Sequence, residues 1–256
     1  MNELIATFAS TIADSRFPIA VGFAALAGLV RGFTGFGSAL IYMPLVSAVY
    51  GPHVAAATLL LIDTVCGFPF AVHALPYCNR REVTPVMIAG ALALPFGVWA
   101  LLWLDPLILR WFIAVLALSA LAVLVAGWRY HGRPTLVASL SVGAMAGFGA
   151  GAVQIGAPPL LVYWLGGQNS ATTVRANIMV YFIMQGVLAC ALYFYGGLFT
   201  AQTVALALLL GLPFGGTMVA GAYWFHGSSD LLYRRLAYVI IALAGLISLP
   251  LFDGLR

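Results

Sequence analysis

The chain has 256 residues, of which 63% are hydrophobic and only 7% charged. A water-facing surface needs about 25% charged residues, so this composition excludes a soluble domain and leaves most faces to lipid or to neighbouring membrane helices. The net charge of +4 is scattered, the eleven basic residues are all arginine, and no basic run is interleaved with aromatics, so nucleic-acid binding has no support.

The N-terminus lacks the basic start and small-residue cleavage site of a signal peptide, and it is expected to be retained. Hydrophobic runs long enough to cross roughly 30 Å of hydrocarbon then follow one another. They lie near residues 18–50, 54–76, 83–104 and 107–128, and again near 135–165, 171–195, 202–225 and 230–251. Short polar stretches such as Gly51-Pro-His, Asp105-Pro, Gly196-Gly and His226-Gly-Ser-Ser-Asp punctuate them with turn chemistry, so neighbouring helices should be antiparallel. The fold class expected is an all-α, multi-pass integral membrane protein, a single transmembrane domain over 1–256. Cys66, Cys78 and Cys190 form no CxxC or Cys/His cluster with metal spacing, and nothing calls for a cofactor.

The first run of each set is broken by glycine. One break reads Gly28-Leu-Val-Arg31-Gly32-Phe33-Thr34-Gly35-Phe36-Gly37-Ser38 and runs on to Pro44-Leu45. The other reads Gly143-Ala-Met-Ala-Gly147-Phe148-Gly149-Ala150-Gly151-Ala152-Val153-Gln154 and runs on to Pro159-Leu160. An offset of 115 residues superposes Gly28 on Gly143, Gly32 on Gly147, Phe33 on Phe148, Pro44 on Pro159 and Thr58 on Thr173 without a gap. Leu94-Pro95-Phe96-Gly97 likewise matches Leu212-Pro213-Phe214-Gly215. A duplicated unit of about four hydrophobic elements explains these matches, with one copy over 18–128 and the other over 134–252. Paired, glycine-interrupted hydrophobic segments are the strongest sequence pointer to a secondary transporter's binding site.

Each broken run holds two apolar pieces of about a dozen residues, enough helix for about 18 Å each. They form either one discontinuous spanning helix or a re-entrant hairpin. Both arrangements split the loop and terminal arginines six to three, so the excess of positive charge on the cytoplasmic side does not choose between them. Both place the loops near residues 80 and 131 in the cytoplasm. The hairpin is favoured because it gives each half an odd number of crossings and hence inverted halves.

Three full charges sit well inside apolar runs: Arg31, Asp63 and Arg175. Each costs about 2.5–3.5 kcal/mol at the bilayer centre on insertion scales, so each needs a partner or a wet cavity. Glycine at a break lets backbone approach a ligand, and the helix restarting after it, near Ser38 and near Ala152, presents unpaired N–H groups at a positive dipole end. Such ends bind anions. A small-anion site is therefore expected from Arg31, Thr34, Gly35, Phe36, Gly37 and Ser38 in the first copy. Gly149, Ala150, Gly151, Ala152 and Gln154 would serve in the second, with Arg175 and Asn177 from the following helix. Asp63 is either a coupling carboxylate or a static partner for Arg31. The outer pairs Gly28/Gly32 and Gly143/Gly147 are equally well explained by close helix packing.

The glycine-rich pattern, Gly-(x)3-Gly-Phe-x-Gly-x-Gly in the first copy and Gly-(x)3-Gly-Phe-Gly-x-Gly in the second, each running on to Pro-Leu within two four-element halves over residues 18–252, resembles the TauE/SafE family of sulfite and organosulfur-anion exporters. The resemblance implies a carrier of small anions in the bacterial inner membrane, coupled to an ion gradient of H+ or Na+. It implicates Gly32, Gly35, Gly37 and Pro44 and, in the second copy, Gly147, Gly149, Gly151 and Pro159, of which Gly149 and Gly151 stand one residue off the 115-residue register. The chain departs from the commoner pattern by carrying Ser38-Ala39 and Ala152-Val153-Gln154 where further glycines are usual. The expected partners are thus a small anionic substrate and the lipid bilayer, with a homodimer left open. A passive anion channel, or a carrier of another carboxylate or oxyanion, is the alternative within membrane transport. No HExxH, GxSxG or paired carboxylates support an intramembrane enzyme. A purely structural membrane protein would use its buried arginines for folding alone.

Overall fold

The computed structural model describes residues 2–127, 135–165, 170–224, 239 and 241–247. Among these it is helical, with no strand. Ten helices are named: α1 (Asn2–Ala13), α2 (Phe17–Thr34), α3 (Ser38–Tyr50), α4 (Pro52–Ala74), α5 (Arg80–Trp103), α6 (Pro106–Ala126), α7 (Leu136–Val153), α8 (Ala157–Leu165), α9 (Ala171–Tyr195) and α10 (Ala201–Trp224). Six helical stretches are long and apolar enough to cross a membrane, from Pro52–Tyr77 to Ala201–Tyr223. The α1–α2 pair, bent by 87°, meets the same length and hydropathy test only when its two helices are taken together, as a broken span or a re-entrant loop.

Helix α1 has no counterpart in the expected elements, because twelve residues fall short of a hydrophobic span. It meets α2 at a charged corner, where Arg16 Nη2 pairs with Asp14 Oδ2 at 2.7 Å. Hydrogen bonding from Arg16 holds the Asp14 carboxyl below its ordinary range.

Both glycine-broken runs fold back on themselves. Helix α2 ends at Gly35 (φ 79°) and α3 begins after Gly37 (φ 93°), two left-handed positions that an L side chain adopts only at a cost. The far ends meet again: Arg16, before α2, lies over the Tyr50 ring at 4.7 Å and donates to the Val49 carbonyl at 3.4 Å, at the end of α3. In the second copy the Ser139 and Tyr163 hydroxyls, near the start of α7 and the end of α8, lie 2.7 Å apart. The second break comes later than the motif suggests. Helix α7 runs through Gly149, Gly151 and Ala152 and stops at Gln154, whose φ is 58°. There the Ile155 amide reaches back to the Gly149 carbonyl and the Gln154 amide to the Ala150 carbonyl, which satisfies two otherwise orphaned acceptors.

Each hairpin packs against the other half of the chain. A Cβ on Gly28 or Gly32 would fall on the Phe214 or Met218 carbonyl, so α2 lies backbone-to-backbone along α10 in the same direction. A Cβ on Gly143, Gly147 or Gly151 would fall on the Val86, Gly90 or Leu94 carbonyl, so α7 lies along α5, again in the same direction. This is small-residue packing that brings helices close where hydrophobic segregation supplies no drive. The two Leu-Pro-Phe-Gly stretches do not meet equivalent glycines: Phe214 faces Gly28, whereas Leu94 faces Gly151. Helix α4 runs with α10, with Ile62 near Gly211 and Cys66 near Gly215. It runs against α9, where Thr64 meets Gly186 and Asn79, beyond the α4 end, meets Asn177. Helix α9 in turn follows α5, with Gln185 on the Met87 carbonyl and Gly196 on Leu102. Helices α2, α4 and α10 therefore point one way and α5, α7 and α9 the other.

Candidate functional site

The two hairpin tips meet at one cavity of about 50 Å³, room for a small oxyanion or a few waters. Gly37 and Ser38 line it from the first tip, and Ala150, Gln154, Ile155 and Ala157 from the second. Helix α4 contributes Asp63 and Thr64, and α9 contributes Arg175 and Gln185. Arg31 and Gly32 complete the wall from the end of α2.

All three charges read from the sequence meet here. Arg31 is 6% exposed, and its Nε lies 2.9 Å from Asp63 Oδ1. The N–H does not point along that line, so the pair is a Coulombic contact more than a directed hydrogen bond. Arg31 Nη1 donates to the Gly35 carbonyl and Arg175 Nη2 to the Gly32 carbonyl at 3.2 Å. The two guanidiniums thus hold the carbonyl end of α2, where a helix dipole is negative and favours cations. A Cβ on Gly35 would sit 2.7 Å from Arg175 Nε, so this glycine also lets Arg175 close on the α2 backbone. Ser38 Oγ donates to Asp63 Oδ1 at 3.4 Å, which ties the start of α3 to α4.

The helix starts are unequal. Helix α3 opens with Ser38 and Ala39, whose amides lie at the positive dipole end beside the cavity. Helix α8 opens with Ala157-Pro158-Pro159, and the two prolines have no N–H to offer. The restart expected near Ala152 lies instead at Ala157, so Ala152 is a fully buried residue of α7 against Gly97 of α5.

The remaining expected residues divide. Gln154 lines the cavity and donates through Nε2 to the Tyr193 hydroxyl at 3.1 Å, and that hydroxyl donates to the Gly151 carbonyl at 2.9 Å. Gly149 and Gly151 do not line it: their missing side chains make room for the Ile155 and Leu94 carbonyls. Phe36 turns into the apolar cluster around Leu160 and Trp164. Asn177 is fully buried away from the cavity, where its Oδ1 accepts the Asn79 amide at 2.8 Å and fixes the corner between α4 and α5. The Thr34 side chain lies outside the described residues.

Thr64 and Gln185 line the cavity without having been singled out. Gln185 is 2% exposed and donates through Nε2 to the Met87 carbonyl at 2.9 Å. That carbonyl can only accept, which fixes the orientation of the amide. A glutamine in the middle of an apolar span was the available signal, since burying an amide without partners is costly. No group of three potential metal ligands occurs among the described residues, and the three cysteines are free.

A family model described as Sulfite exporter TauE/SafE matches residues 20–247. Neither a curated protein nor a solved structure matches the chain.

Proposed function

The chain belongs to the sulfite exporter TauE/SafE family, and from that membership we propose that it is a secondary active transporter exporting a small sulfur-containing oxyanion, sulfite or an organosulfonate, across the bacterial inner membrane. The observation that carries the reading is the convergence of Arg31, Arg175 and the Ser38 end of α3 on one cavity between the two hairpin tips. A guanidinium presents a planar fork of donors that matches two oxygens of a sulfonyl or carboxylate group. The α3 amides add donors fixed in direction.

The two hairpins are read as re-entrant and inverted: each enters and leaves on one face, and the two enter from opposite faces. The support is the meeting of Arg16 with Tyr50 and of Ser139 with Tyr163, together with the opposite directions of α2 and α7. Such a pair can rock about a fixed midplane site and open it to each side in turn. The face carrying Arg80 and Arg81 is then cytoplasmic, following the positive-inside rule. Export is driven by an H+ or Na+ gradient.

Calorimetric titration of purified protein with sulfite and with methanesulfonate tests the site. Arg31→Ala and Arg175→Ala are expected to reach the membrane folded and to lose at least about tenfold in affinity, since a charge-assisted hydrogen bond contributes roughly 1.5–3 kcal/mol. Unchanged affinity in both variants would remove the arginines from the site.

A further inference from the structure

We infer that Asp63 sets the valence of the anion this cavity accepts, holding the site to monoanions. The inference rests on the proposed anion site and deepens it.

The charged side chains lining the cavity, among the described residues, are Arg31, Asp63 and Arg175. With all three ionised they sum to one positive charge. Helix ends do not change that sum: at the first tip the carbonyl end of α2 and the amide end of α3 bring opposite half-charges that offset locally, and at the second the Ile155 and Gln154 amides take the α7 carbonyls of Gly149 and Ala150. A monoanion cancels the remaining charge. A dianion leaves the cavity net negative in a surrounding of low dielectric constant.

Two opposing effects decide the preference. The cost of stripping water from an ion rises with the square of its charge, whereas its attraction to the site rises only in proportion. At a site charge of one, the fourfold desolvation cost of a dianion outruns its doubled attraction. Each positive charge added to the site shifts the balance toward dianions, and each removed shifts it further toward monoanions. Asp63 is placed to control this: it touches Arg31 at 2.9 Å and the Ser38 hydroxyl at 3.4 Å, yet its side chain keeps 23% exposure. It is therefore a specificity-determining residue as well as the partner of Arg31.

The experiment uses two anions whose charge does not change near neutral pH, methanesulfonate (one charge) and sulfate (two). Both are titrated calorimetrically into the purified full-length protein, and the ratio of the sulfate Kd to the methanesulfonate Kd is read. In the unaltered protein the ratio is expected to be about ten or more, from a charge interaction over a few ångströms in a poorly screened site. Asp63→Asn, which leaves two positive charges, should lower the ratio at least about tenfold. The double variant Arg31→Gln/Asp63→Asn returns the site to one positive charge and should recover the original ratio within about threefold, because both members of the pair are removed together. Recovery separates a charge count from a particular contact. Should Asp63→Asn yield no folded protein, Arg175→Gln, which leaves the site neutral, must raise the ratio. A ratio indifferent to these changes, or tighter sulfate binding by the unaltered protein, overturns the inference while leaving an anion site in place. If neither anion binds the unaltered protein, the anion site itself fails.

Discussion

Glycine plays two opposite parts in this chain, and only the surroundings of each residue tell them apart. Gly32 and Gly147 are glycine because a carbonyl of the neighbouring helix occupies the place of a Cβ. Alanine at 147 would press on the Gly90 carbonyl, which is backbone and has nowhere to go, so Gly147→Ala should cost about 1–3 kcal/mol. Gly22, exposed on α2, has nothing within 4 Å of a Cβ. Gly22→Ala should gain up to about 1 kcal/mol from helix propensity. Thermal unfolding in detergent reads both, and a Gly147→Ala protein as stable as its parent would show that α5 and α7 are not in backbone contact. The same distinction explains why Gly149 and Gly151 drew attention in the sequence. They carry the spacing of a break, but their glycine identity serves packing.

At the scale of the element, the chain breaks where the backbone turns left-handed. In the first copy Gly35 and Gly37 make that turn; in the second Gln154 makes it, in a conformation that costs a non-glycine residue about 1–2 kcal/mol. The Gln154 amide, held by Tyr193, is fastened in place by the same strained residue. Gly37→Ala should lower stability by about 1–2 kcal/mol through backbone strain and, by reorienting the start of α3, weaken anion binding with it. Measuring melting temperature and affinity on the same preparation checks this; unaltered values of both would mean that the tip tolerates another turn. The break in the first copy was legible because glycine is the usual residue at positive φ. The second was misplaced by about one helical turn for the same reason, since the sequence offers glycines where the helix continues and a glutamine where it ends.

For the molecule as a whole, the closest helix pairs join segments that are not neighbours in sequence: α2 lies along α10 and α7 along α5. The directions of these pairs make a topological prediction. Single cysteines at positions 14 and 53, in a background without Cys66, Cys78 and Cys190, should react with a membrane-impermeant maleimide from one side. A cysteine at position 135 should react from the other. Labelling of 14 and 53 from opposite sides would mean that the first broken run crosses the membrane once and is not re-entrant.

The sequence by itself determined that the protein is a bundle of apolar helices, roughly where most of them lie, and which three charges sit within apolar segments. These are local quantities: hydropathy, turn residues and the cost of a charge in hydrocarbon depend on the chain within a few residues of each site. Only the tertiary structure decided that Arg31, Asp63 and Arg175 share one cavity, that Gln185 and Thr64 join them, and that Asn177 leaves to hold a corner. It also decided that α3 presents the Ser38 and Ala39 amides at its start while α8 begins Ala157-Pro158-Pro159, whose two prolines have none. Those outcomes depend on which helix faces which, and in a membrane that choice is made by close fits between backbones far apart in sequence, such as Gly28 against Phe214, which leave no periodic trace in either segment.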